Sequence, residues 1–135
     1  MDKNSPPNRR DPQDSTIINP NDGKIRPAGV LTNRALLIVL SENLFGKTFV
    51  LSRARSLIGR GNSCDIVVED PLISREHCVI EYDDGGYYLR DLGSKNGTVL
   101  NRKPLSRRAA LYYGDRILLG DTILRFLLEE RVERK

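Results

Sequence analysis

From residue 30 onward the apolar positions come in short bursts, divided by turns rich in glycine and charge. Residues 35–40, Ala-Leu-Leu-Ile-Val-Leu, make the longest apolar run and read as a buried strand. A turn at Gly46 leads to a run at 47–51. Further runs follow at 56–59, 65–68, 77–82, 87–92, 98–100, 109–111, 115–119 and 122–127. Asp83-Asp84-Gly85-Gly86, between Tyr82 and Tyr87, is a hairpin turn signal. About ten short strands at intervals of roughly ten residues is the spacing of a β-sandwich. Only residues 127–135, where charges alternate, read as helical or as the start of a linker. There is no internal repeat.

Residues 1–29 differ in kind. They hold five of the seven prolines (Pro6, Pro7, Pro12, Pro20 and Pro27) and five apolar residues, Met1, Ile17, Ile18, Ile25 and Ala28. Such a segment buries too little apolar area to offset its ordering entropy. A disordered tail is therefore expected at 1–29, a folded domain at 30–128, and a C-terminal extension or linker at 129–135. The length of 135 residues suits one domain with a tail. No run approaches the ~18 apolar residues of a membrane helix, and the first ten residues carry no signal-type stretch. The expectation is a cytoplasmic protein with no membrane partner.

Charge adds little. Lys+Arg 22 against Asp+Glu 18 leaves a net +4, which accommodates an anionic partner without demanding nucleic acid. Two cysteines, Cys64 and Cys78, and one histidine, His77, are too few for a structural zinc site. The cysteines read as small buried hydrophobes, and neither a metal nor a cofactor is expected.

Enzyme motifs begin and fail. Gly46-Lys47-Thr48 ends like a phosphate-binding P-loop, but Ser41 stands where its first glycine belongs, and a strand follows where a helix is needed. Gly59-Arg60-Gly61 opens like a dinucleotide fingerprint, yet Cys64 replaces the third glycine. Ser74 and His77 lack a nucleophile elbow. The pairs Glu69-Asp70 and Asp83-Asp84 are sequence neighbours whose side chains diverge, and they read as solvated turns. Asn96-Gly97-Thr98 is formally a glycosylation sequon, unused without a secretion signal. With no catalytic constellation, the chain is not expected to be an enzyme.

Two polar loops remain. The first holds Gly59-Arg60 and Ser74-Arg75-Glu76-His77; the second holds Ser94-Lys95-Asn96-Gly97-Thr98, with Asn101 just after. Guanidinium groups match phosphate oxygens bidentately, and hydroxyls and exposed loop N–H groups supply further donors. The inventory suits a phosphate dianion that is bound and not cleaved.

The ordered set Gly59-Arg60, Ser74-Arg75-x-His77, Asp91-x-x-Ser94-x-Asn96-Gly97-Thr98-x-x-Asn101 and Gly114-Asp115-x-Ile117-x-x-Gly120 resembles the forkhead-associated (FHA) domain over residues 35–128. That resemblance implies an eleven-stranded β-sandwich with binding loops at one end and a phosphothreonine peptide as ligand. It implies that Arg60 and Ser74 contact phosphate and that Asn96 holds the peptide backbone. Arg75 would contact phosphate or peptide, and Asn101 would orient peptide or loop. His77 would brace the loops, with Thr98 in support, and Gly59 and Gly97 would permit the turns. Lys95 departs from the Ser or Thr of other members: either it adds charge, or Ser94 serves in its place. Three or four charge-assisted hydrogen bonds of about 1.5–3 kcal/mol, less ordering costs, correspond to micromolar affinity.

The tail carries Thr16, flanked by Asp11 and Asp14 before and Ile17-Ile18 after. It is the candidate phospho-acceptor for a Ser/Thr kinase, which makes the protein's own phosphorylated tail a second candidate ligand. The tether to Arg34 reaches about 60 Å extended and about 23 Å r.m.s. as coil, so capture within one chain is reachable and capture between chains is equally open. The leading expectation is a phosphothreonine-binding signalling module. The alternative is the input domain of a larger signalling protein. A nucleic-acid-binding β domain, raised by a pI near 9.3, fits poorly because the strands lack aromatic stacking platforms.

Overall fold

The computed structural model describes residues 35–129 in full and, before them, three backbone strands, Thr16–Ile18, Ile25–Pro27 and Val30–Val39. In chain order the strands are β1 Thr16–Ile18, β2 Ile25–Pro27, β3 Val30–Val39, β4 Thr48–Arg53, β5 Arg55–Gly59, β6 Ile66–Val67 and β7 Cys78–Asp83. There follow β8 Gly86–Asp91, β9 Thr98–Leu100, β10 Lys103–Pro104, β11 Ala109–Leu111, β12 Arg116–Leu119 and β13 Thr122–Glu129. One short 3-10 turn, Glu42–Leu44, sits between β3 and β4.

The chain divides into two units, 1–30 and 31–135. Within the first, β1 and β2 pair antiparallel, Ile17 opposite Arg26. The remainder of the expected tail, and residues 130–135, lie outside the described residues.

The second unit is an all-β sandwich of two sheets, one of six strands in the order β10-β9-β12-β13-β3-β4 and one of five in the order β11-β8-β7-β5-β6. Together they make the eleven strands the family resemblance implies. Alternation builds the core. Ala35, Leu37 and Val39 of β3 and Leu124 and Phe126 of β13 face Ile58, Cys78, Ile80 and Leu89 of the other sheet. Tyr87 bridges the layers, its ring 5.0 Å from Tyr82 and 5.4 Å from Phe126. The Asp84-Gly85 turn has φ of +50° and +86°, the positive pair that a two-residue hairpin turn requires.

Three expectations are corrected. Residues 127–129 are the end of β13, not helix, because Leu127 and Leu128 pair with Leu36 and Ala35. Residues 35–40 are not buried on both sides: the odd positions are buried and Leu36, Ile38 and Leu40 are half-exposed, since only one face of β3 meets the second sheet. Asp70 is not solvated; it is 3% exposed. The two-residue β10 carries no apolar signal and escapes sequence reading. Among the described residues no helix is long and apolar enough to cross a membrane.

Candidate functional site

Three connections meet at one end of the sandwich: residues 60–65 after β5, 68–77 before β7 and 92–97 after β8. Arg60 N donates to the Ser74 carbonyl at 3.0 Å, and Gly61 N to the Arg75 carbonyl at 3.0 Å. The Arg60 side chain reaches across as well, its Nε donating to the Ile73 carbonyl at 2.9 Å. Gly59 makes this approach possible. A Cβ there would stand 2.1 Å from the Arg75 carbonyl oxygen, so the constraint is contact and not φ. Cys64 Sγ donates to the same carbonyl at 2.9 Å.

The second and third connections are joined by three bonds. Lys95 N donates to Ser74 Oγ at 3.0 Å, and Asn96 Nδ2 to the Leu72 carbonyl at 2.8 Å. The third is His77, which is fully buried. Its Nδ1 accepts from Ser74 N at 3.0 Å, so the ring proton sits on Nε2, which donates to the Gly97 carbonyl at 2.8 Å.

Two carboxylates hold the loops from inside. Asp91 accepts from Gly93 N and Ser94 N at 2.9 Å and from Ser94 Oγ and Thr98 Oγ1 at 2.6 Å. Burial acts to raise its pKa, but these hydrogen bonds outweigh it and hold the carboxyl below its ordinary range. Asp70 accepts from Leu72 N at 2.9 Å and, at 2.8 Å, from Asp121 N and Thr122 Oγ1 in the β12–β13 turn. Its pKa is lowered on the same balance, burial against hydrogen bonds from Leu72, Thr122 and Asp121.

Of the residues singled out in the sequence, the fold brings Gly59, Arg60, Ser74, Arg75, His77, Ser94, Lys95, Asn96, Gly97 and Thr98 to this end. Arg60, Arg75 and Lys95 are exposed. Ser94 is turned inward: its hydroxyl donates to Asp91 and accepts from Gly97 N at 2.9 Å. Asn101 lies elsewhere, at the far end of β9. Its Nδ2 donates to Asp115 Oδ1 and its Oδ1 accepts from Arg116 N, each at 2.9 Å. It orients a turn at the end of the sandwich away from the loops. Sequence reading missed Asp91 and Asp70 as anchors, although Asp-x-Gly-Ser and Asp-Pro-Leu are both compatible with local aspartate turns. Cys64 is buried as its sequence reading has it, but its bond to the Arg75 carbonyl left no sequence signal.

Much of the donor capacity is uncommitted. Ser74 Oγ accepts a bond, but its own hydrogen finds no acceptor among the described residues, and neither do the terminal nitrogens of Arg60. The result is a pinned ring of loops with a hydroxyl, a guanidinium, an amide and two further cations at its surface. Among the described residues no carboxylate or imidazole accepts from the Ser74 hydroxyl or the Arg60 guanidinium, and no cluster of three metal-ligating side chains occurs.

The family model described as "FHA domain" matches residues 56–120. The chain is similar to the glycogen accumulation regulator GarA of Mycolicibacterium smegmatis, with 34% identity over 99 residues, 73% of this chain and 62% of that protein. It therefore spans less than two thirds of that relative's length. It is also similar to the oxoglutarate dehydrogenase inhibitor of Corynebacterium efficiens, with 36% identity over 101 residues, 75% of this chain and 68% of that protein. A domain solved in a study of phosphothreonine-dependent FHA domain interactions superposes with a TM-score of 0.66 at 30% identity, covering 73% of this chain and 99% of that one. By its eleven-stranded sandwich, its loop constellation and these relatives, the chain belongs to the FHA domain family, the family of phosphothreonine-binding modules.

Proposed function

We propose that this chain is a small cytoplasmic regulator, without enzymatic activity, that docks on phosphothreonine peptides through the three loops. The supporting observation is the split use of Arg60 and Ser74. One atom of each side chain is tied to a neighbouring loop, while the remaining donors find no partner among the described residues. A guanidinium fixed at Nε and a hydroxyl fixed as an acceptor are preorganised for an oxyanion, so little ordering cost remains on binding. Arg75 and Lys95 add charge that favours the roughly −1.5 to −2 of a phosphate ester. Asn96 exchanges its Leu72 carbonyl for the peptide backbone. Ser94, spent on Asp91 and Gly97, supports the loop, as do His77, Thr98 and Asn101 in their own places.

The same pocket captures the Thr16 segment once a Ser/Thr kinase has phosphorylated it, within one chain or between two. At an effective concentration of ~1 mM, a micromolar site is then almost fully closed to outside ligands. The names of the relatives, a glycogen accumulation regulator and an oxoglutarate dehydrogenase inhibitor, support a metabolic enzyme as the outside partner.

Calorimetric titration of the full chain tests this reading. A degenerate phosphothreonine peptide library is expected to bind, with phosphoserine and unmodified peptides weaker or silent. Arg60→Ala and Ser74→Ala are each expected to weaken binding at least tenfold. A folded chain that binds no phosphothreonine peptide would refute the assignment. Undiminished peptide binding by chain phosphorylated at Thr16 would refute self-capture alone.

A further inference from the structure

The two outer faces of the sandwich differ in kind. That of the five-stranded sheet is charged and internally matched. Glu81 accepts from Arg90 Nη2 at 2.9 Å, and Arg108 bonds Asp83 at 3.0 Å while stacking 4.1 Å over the Tyr88 ring. The outer face of the six-stranded sheet is aliphatic. Leu36 of β3 pairs with Leu127 of β13 and Ile38 with Arg125, and on the same face Leu118 of β12 lies directly opposite both Ile123 of β13 and Val99 of β9. Leu118 is 37% exposed, and Val50 on the β4 edge is 56% exposed. A solvated sheet face ordinarily turns polar residues outward, and a contiguous apolar face of this kind marks an interaction site.

Charge on the same face narrows the occupant. Arg116 and Arg125 are direct partners across β12 and β13, on the outer side because their neighbours Ile117 and Leu124 are fully buried. Like charges directly opposite destabilise a sheet. Among the described residues no carboxylate pairs with either arginine, and Arg125 Nε is buried without a hydrogen-bond partner. The Arg125 guanidinium lies over Gly114, in the turn that carries Tyr112 and Tyr113, which are 70% and 68% exposed. Tyrosine and arginine are the residue types that dominate interface energetics. A second copy of this face would present the same two cations, whereas a carboxylate fits the paired forks bidentately.

We propose that the outer face of the six-stranded sheet is a second docking surface. It takes a protein segment in which a carboxylate, flanked by aliphatic side chains, seats between Arg116 and Arg125. This surface is separate from the loops: Arg116 begins β12 at the end away from them, whereas Gly120, which follows β12, lies against Asp70 and Leu72. Both can be occupied at once.

The test is an NMR titration of the 15N-labelled full chain with peptides of alternating Leu, Ile and Val around a central glutamate. Peptides with glutamine in that place serve as controls. Shifts are expected at Val99, Leu118, Ile123 and Arg125, with at least tenfold weaker binding of the glutamine peptides. The double variant Arg116→Gln/Arg125→Gln should abolish that preference. Leu118→Asp should abolish binding, and Ser74→Ala should leave it unchanged. Absent or dispersed shifts, or equal binding of glutamate and glutamine peptides, would overturn the proposal. So would a dimer in sedimentation equilibrium that Leu118→Asp dissociates, since the occupant would then be a second copy. Leu118 and Arg116 are exposed, and a thermal midpoint that is not lowered checks that each variant folds.

Discussion

The imidazole of His77 donates from Nε2 to the carbonyl of Gly97 at 2.8 Å, closing a link across 20 residues from a fully buried position. With Nδ1 accepting from Ser74 N, one ring sets the spacing of two binding loops. His77→Ala leaves both backbone groups unpaired and opens a cavity. It should cost about 2–4 kcal/mol in denaturant unfolding and weaken phosphopeptide binding at least tenfold. Long-range 1H–15N NMR should find the proton on Nε2; a proton on Nδ1 would contradict the geometry.

Asp91 and Asp70 predict an acid limit to stability. Both carboxyls have folded pKa values below their unfolded ones, because hydrogen bonds outweigh burial. Their contribution is therefore fully present above the unfolded value of about 4 and is lost as pH falls through the lower folded values. Unfolding free energy should drop over that interval. Asp91→Asn should flatten the drop and lower stability at neutral pH by about 1–3 kcal/mol. An unchanged acid slope in Asp91→Asn would show that Asp91 does not contribute.

Gly59→Ala and Gly97→Ala separate two kinds of glycine requirement. At Gly59 the new Cβ meets a backbone oxygen at 2.1 Å, so the 60–65 and 68–77 segments must part. At Gly97 nothing lies within 4 Å, and the difficulty is φ of +82°. Denaturant unfolding should show a loss of more than about 2 kcal/mol for Gly59→Ala and about 1 kcal/mol for Gly97→Ala. The reverse order would remove the contact argument.

Neither cysteine should react readily in the folded protein. Burial pushes both thiols up, Cys78 much further than Cys64. Thiol titration under native conditions should label Cys64 slowly and Cys78 only on global unfolding. Fast labelling of Cys78 would mean that the sheet opens locally around it.

Much of the architecture follows from the sequence because its causes are local. Alternation along a strand needs only neighbouring residues, and the Asp84-Gly85 turn needs only two that tolerate positive φ. The order of Arg60, Ser74, His77 and Asn96 was likewise readable through its family resemblance. What the tertiary structure decided concerns partners far apart in the chain. Asp70 reads as a solvated turn until Thr122, 52 residues on, is folded against it. Only the fold sets Asp115 against the side chain of Asn101. The apolar run at 35–40 shows two equivalent faces. Only the packing of a second sheet on one of them makes Leu37 core and leaves Ile38 on the surface, because burial depends on what lies opposite and not on the strand itself.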